Sequence, residues 1–374
     1  MSVAAGVLAA TLIVVGCGER AEPPDRSRIA DPQPSVLRGE IPLESRWLIP
    51  PDASLEPPLA APIALDVDGP GGRLYILELQ PPELRVHGLA DGRFIEALGR
   101  GGDGPGEYRH PTGLSVNAHG MAAVLSMSGR VTFWTRGGGL AGIVHSGAGL
   151  ATDVLASRTD TFYVKADRFP PDDFSEFRAV TPDTALTRPL YRDTELAGIE
   201  ESGRRLRNHS YAVAATPAGD LLLSPPGPDY RILRILPGRG IRQEVTRPDI
   251  PPLRRSTEEM EAVRENVRKG FAAAGRAAPQ DLSIPSFRSH VARLAVGPDG
   301  SVWALTQRGH NGASIIDCFS PDGEFLASYR IGLRVSDLAV AEGAVYMLAH
   351  GELNVPGIAV ASRPEARRRG IAFR

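Results

Sequence analysis

The feature that most constrains this chain is a recurring pair of short apolar segments joined by a turn that ends in glycine. Leu114-Ser115-Val116 leads through Asn117-Ala118-His119-Gly120 into Ala122-Ala123-Val124-Leu125. Ala212 to Ala215 leads through Thr216-Pro217-Ala218-Gly219 into Leu221-Leu222-Leu223, and Arg293 to Val296 through Gly297-Pro298-Asp299-Gly300 into Val302-Trp303-Ala304-Leu305. Looser copies start at Ala64, Val154 and Leu338. Each segment has strand length, and the turn glycine fixes register because it tolerates a backbone angle that other residues avoid. A third strand and usually a fourth follow, as in Arg130 to Trp134 then Leu140 to Val144. Four-stranded units repeating at roughly 40–50 residues predict an all-β, six-bladed β-propeller.

The sixth unit is short of one strand. After Asn354 to Val360 the chain runs into Arg363-Pro364-Glu365-Ala366-Arg367-Arg368-Arg369, which has no strand pattern. One orphan segment, Ser45-Arg46-Trp47-Leu48-Ile49, stands far upstream. Supplying it as the missing strand closes the ring and covers an open sheet edge. The propeller is therefore expected over 37–362, with a basic tail at 363–374.

What precedes it reads differently. Residues 1–17 are an uncharged apolar run, shorter than a bilayer span needs, that ends in Val14-Val15-Gly16-Cys17. This resembles a bacterial lipoprotein signal, in which Cys17 takes the lipid; Val14 stands where leucine is usual, and no Lys or Arg precedes the run. A plain secretory signal is the competing reading. Residues 18–36 are polar and proline-rich and read as a flexible tether. The expected location is the cell envelope or periplasm, with the chain anchored to a bacterial membrane by its lipid. A net charge of −2 gives no basic face for nucleic acid. The second cysteine, Cys318, sits in an apolar strand as a small hydrophobe.

The crossing Gly101-Gly102-Asp103-Gly104-Pro105-Gly106-Glu107-Tyr108 with Pro111, the Pro298-Asp299-Gly300 and Pro321-Asp322-Gly323 turns, and Gly351-Glu352-Leu353-Asn354-Val355 resemble the bacterial six-bladed propellers of the NHL-repeat type. The resemblance runs from about Leu37 to Val360, with Tyr108 where phenylalanine is usual. It implies the fold and leaves activity open.

Two insertions interrupt the rhythm, Tyr191 to Asn208 and Pro248 to Ser289. The second, between blades four and five, holds the one good helix: Ser256 and Glu259 form a capping box, and Met260, Val263, Val267 and Phe271 recur at helical spacing. Both insertions fall on the face where propellers bind ligands. The helix is expected at the rim of that face, with its apolar stripe packed on the blades.

Gly99-Arg100-Gly101-Gly102-Asp103-Gly104 matches the dinucleotide string G-x-G-x-x-G, but Pro105 and a strand follow where a helix would have to start. The glycines instead suit a tight crossing, with Glu107 accepting hydrogen bonds from its amides. Asp172-Asp173 with Glu176 reads as a solvated acidic loop. The histidines carry the chemical hypothesis. His110, His209 and His290 stand ten residues before the turn glycines Gly120, Gly219 and Gly300; Ala61, Leu150 and Arg334 hold that place in the other blades. Three imidazoles gathered at the channel mouth would suit a catalytic zinc, an arrangement that resembles the six-bladed peptidylglycine lyase. A wet channel mouth also satisfies histidines without any metal.

Two readings follow. In the first, the chain is a binding module for a peptide, glycan or envelope protein, presenting Arg109, His110, His209, His290 and Arg334. In the second, it is a metal-dependent lyase or hydrolase, with zinc on His110, His209 and His290 and an arginine holding an anionic substrate.

Overall fold

The computed structural model describes residues 40–51, 58–147, 150–157, 159–168, 174–185, 189–192, 211–225, 227–273, 284 and 286–364. Six sheets each descend from an innermost strand: Pro62–Asp68, Pro111–Val116, Leu150–Ala156, Ala212–Ala215, Val291–Val296 and Arg334–Ala341 open blades one to six. Within each blade the strands pair antiparallel in sequence order. Apolar side chains fill the seams between neighbouring blades, as where Tyr75, Leu77, Tyr108, Val124 and Trp134 join blades one and two.

The ring is closed by its own N-terminal segment. Ser45–Ile49 pairs antiparallel with Pro356–Ser362, setting Trp47 opposite Ala359, and becomes the fourth strand of blade six. Glycine makes room for it. A Cβ on Gly357 would stand 2.7 Å from the Ile49 carbonyl and 3.0 Å from the Trp47 ring. The segment before it is a further strand: Glu40–Pro42 adds in parallel to Phe325–Ile331, giving blade five five strands. Leu43 between them is buried among residues of blades five and six.

The glycine-rich crossing plugs the first seam. Arg100–Gly101 pairs with Glu107–Tyr108, and Glu107 accepts from the Gly104 amide (2.7 Å) and Arg100 Nε (2.9 Å) as expected. These partners hold its carboxyl below the usual carboxylate range. Gly99 takes φ 76° where a Cβ would overlap the Tyr108 ring. Tyr108 is buried, and its hydroxyl donates to the Leu98 carbonyl and accepts from Trp134 Nε1.

The helix forms at Thr257–Ala273 with its capping box intact: Ser256 N–H donates to Glu259 Oε2 (2.9 Å), and Glu259 N–H to Ser256 Oγ (3.2 Å). Of its apolar stripe, the side chains of Val267 and Phe271 lie outside those described. Met260 and Val263 are only half-buried, and no helix residue with a described side chain is buried. Glu259, Glu261 and Glu265 engage arginines instead, which keeps this surface polar. Glu176 departs from expectation. It lies fully buried in the third strand of blade three, ion-paired to Arg178; Asp172 and Asp173 lie outside the described residues. So do the signal segment with Cys17, the tether and most of the basic tail. Arg363, at the tail's start, is docked on blade five by an ion pair with Asp299 and a hydrogen bond to Ser301 Oγ (3.1 Å).

Candidate functional site

The innermost strands of all six blades line one cavity of about 820 Å3 on the ring axis. Its wall is uneven. Blade four contributes Val213, Ala214 and Ala215, a purely apolar stretch, whereas Asp66, Asp153 and Asp337 stand in blades one, three and six. Arg293 of blade five is the cation among them, 3.6 Å from Asp337.

The carboxylates stitch neighbouring blades together. Asp337 Oδ2 accepts the Leu65 amide (3.0 Å), joining blade six to blade one. Asp66 Oδ2 accepts the Val116 amide (2.7 Å) and the Ser115 hydroxyl (3.3 Å), joining one to two. Ser115 Oγ accepts from the Ala156 amide (2.9 Å), joining two to three. Such bonds normally favour the ionised carboxylate. For Asp66 desolvation wins: its surroundings, with the nearby Asp337 charge, push its pKa up to about 7 even though the channel reaches its side chain. Asp337 is raised by the same burial and by Asp153, with Arg293 opposing. A carboxyl poised near neutrality in a cleft is a recognised mark of functional sites, though structural networks produce it too.

Neither His110 nor His290 lines this channel wall. His110 is exposed with φ 50°, and Arg109 beside it forms a solvent-exposed ion pair with Asp103 (2.8 Å). His290 is buried in the seam between blades four and five. Its Nε2–H donates to the Pro228 carbonyl (2.7 Å), its ring lies 5.6 Å from that of Tyr230, and burial lowers its pKa. His209 lies outside the described residues. Among those described, no three His, Cys, Asp or Glu side chains come together as a metal-ligand set. What the aligned position shares is a backbone role. The carbonyls of Ala61, His110 and His290 each accept the amide of a residue closing the second strand, Leu79, Met127 and Gln307. That requirement fixes the backbone and leaves the side chain free. Arg334 also stays out of the channel; it lines a separate cavity with His350.

The channel residues were legible in part. Three positions after Leu150, His290 and Arg334 stand Asp153, Arg293 and Asp337, each a charge immediately before an apolar run of the innermost strand. That anomaly was the available signal.

No protein-family model and no curated protein sequence matches the chain. Solved structures do. A candidate exported protein of Bacteroides fragilis superposes with TM-score 0.51 at 11% identity, covering 86% of this chain and 95% of its own. A gluconolactonase of Xanthomonas campestris superposes with TM-score 0.50 at 12% identity, covering 86% and 91%. At such identities the likeness establishes the fold: this is a six-bladed β-propeller. No helix among the described residues is long and apolar enough to cross a membrane.

Proposed function

We propose that this propeller, of NHL-repeat type, is an exported binding module, lipid-anchored through Cys17, whose partner presents an alkylammonium group, such as a peptide lysine, to the central channel. The observation that carries the reading is the channel's asymmetry. The lining sets one arginine against five carboxyl groups, Asp66, Asp68 (paired with Arg136), Asp153, Asp337 and Glu342, and so attracts a cation, while the Val213–Ala215 side takes up a hydrocarbon stem. Likeness to a candidate exported protein supports the location. Rigid rings present such sites well because the inner strands cannot move independently.

Asp66 makes the binding proton-linked. With its pKa at about 7, the carboxyl is mostly protonated at pH 6 and mostly ionised at pH 8. A ligand that needs the ionised form should therefore bind roughly tenfold more tightly at pH 8. Calorimetric titration with 1,5-diaminopentane tests this, with 1,5-pentanediol as the uncharged analogue. Asp66→Asn should erase the pH dependence. Equal binding of the diol, or no binding of the diamine, refutes the proposal.

The same group shapes stability. Its folded pKa lies above the unfolded value of about 3.9, so between these two pH values the folded state holds more protons than the unfolded. Stability should then fall as pH rises from about 4 to about 7 and level off above. Urea midpoints across that range should slope downward in the native chain and more shallowly in Asp66→Asn.

A further inference from the structure

A second concavity, of about 720 Å3, lies where the closing strand meets blades five and six, away from the axis. Trp47 and Pro51 form one wall, Arg334, His350 and Asn354 another, and Gly312, Gly332 and Gly351 line the remainder with backbone. No carboxylate of the described residues lines it.

The arginines of this ring differ in their partners. Arg85, Arg136, Arg178, Arg247 and Arg308 all have carboxylate partners. Arg334 has none among the described residues; its recorded hydrogen bond runs from Nη1 to Asn354 Oδ1 (3.2 Å), and its side chain is exposed. Beside it, His350 sits between Ser336 Oγ (3.2 Å) and the Asn354 carbonyl (3.5 Å). Burial and the Arg334 charge lower its pKa, so the imidazole is neutral at pH 7 and adds no second cation.

The aromatic wall is held rigidly. Trp47 lies against Gly357, where a Cβ would come within 3.0 Å of the ring, and Pro51 against Gly351, where it would come within 2.6 Å. Opposite, the backbone is strained. Leu353 and Asn354 take φ 56° and 61°, and Leu353 is 97% exposed. Left-handed angles at non-glycine residues cluster at ligand clamps.

We propose that this cavity is a second binding site, for a small ring bearing a single carboxylate: the carboxylate pairs with the Arg334 guanidinium while the ring lies on Trp47. One guanidinium without a second cation matches a monoanion better than a phosphate dianion, and its planar fork suits a carboxylate. A flat indole face suits a ring. This site is independent of the channel reading, since Arg334 and Trp47 do not line the axis.

Tryptophan emission offers a direct readout. Of the three tryptophans, Trp134 and Trp303 are buried and Trp47 is half-exposed. The full chain should be titrated with D-galacturonate and with benzoate, which separate a sugar ring from an aromatic one, and with D-galactose as the uncharged control. A saturable emission change with either acid, weakened at least tenfold in Arg334→Gln, supports the site. Trp47→Phe should remove the optical signal while calorimetry still detects the acid. No saturable binding of either acid up to roughly 10 mM, an unchanged affinity in Arg334→Gln, or galactose binding as tightly as galacturonate overturns it. Near-UV circular dichroism of the Arg334→Gln chain checks that the fold is kept.

Discussion

A chain that begins at residue 51 should lose cooperative folding. Removing the preceding segment strips blade six of its outer strand and uncovers the Pro356–Ser362 edge. It also withdraws Leu43, Leu48 and Ile49 from the blade five–six and six–one seams, where all three are buried. Burial of each such side chain contributes about 1.5–3 kcal/mol, so their loss alone rivals the 5–15 kcal/mol that typically separates folded from unfolded chains. The exposed edge then offers unpaired backbone to other molecules. Size-exclusion chromatography should show aggregation, and near-UV circular dichroism a flattened thermal transition. A peptide spanning residues 37–51, added in trans, should restore part of the transition, because the strand has no covalent duty beyond delivering its side chains. Gly357→Val gives a milder version, since its Cβ must push the Ile49 carbonyl outward. If the truncated chain melts at the native temperature, closure by this strand contributes nothing to the fold.

That closure was readable from sequence because it depends on counting. Turn glycines set the period, the period exposes a missing strand, and one orphan segment remains to fill it. The glycines of the Gly99–Gly106 crossing likewise placed Glu107 on a loop amide, that of Gly104. His110 and His290 escaped because register locates a backbone and not the direction of a side chain. His290 stands one residue before the Val291–Val296 strand and Arg293 within it; the first enters a seam and the second lines the axis. Between Val291 and Arg293 the pairing shifts by a bulge, and equivalent shifts fall between Ala151 and Asp153 and between Val335 and Asp337. A bulge adds a residue to the strand and reverses the alternation beyond it. A two-residue rhythm carried across the bulge therefore assigns faces wrongly on one side of it. The parallel strand at Glu40–Pro42 was missed for another reason: its exposed, mixed side chains carry no pattern, and only its pairing with Phe325–Ile331 makes it a strand.

Asp317→Ala should be the most damaging single substitution, and it bears on what the histidines do. Asp317 is fully buried in the seam between blades four and five, where Arg308 donates to its Oδ1 alongside Ser328 Oγ (2.6 Å), and Arg247 Nη1 lies 3.8 Å from Oδ2. Tyr230 stands next to it, its phenol pushed well up in pKa by burial and by this carboxylate, and His290 packs on Tyr230. Truncating Asp317 leaves two arginines in a dry seam with one counter-charge fewer, a change that typically costs 3–5 kcal/mol. His290→Ala removes a buried ring and the Pro228 hydrogen bond, at a cost of about 1–3 kcal/mol. His110→Ala, at an exposed position, should stay within about 0.5 kcal/mol. Urea unfolding measures all three. The graded order follows if histidine in blade five is a seam residue and histidine in blade two a surface one. Equal small costs for His290 and His110, with matching losses of bound metal, would instead place both at a common ligand site and return the imidazoles to the chemistry of the channel mouth.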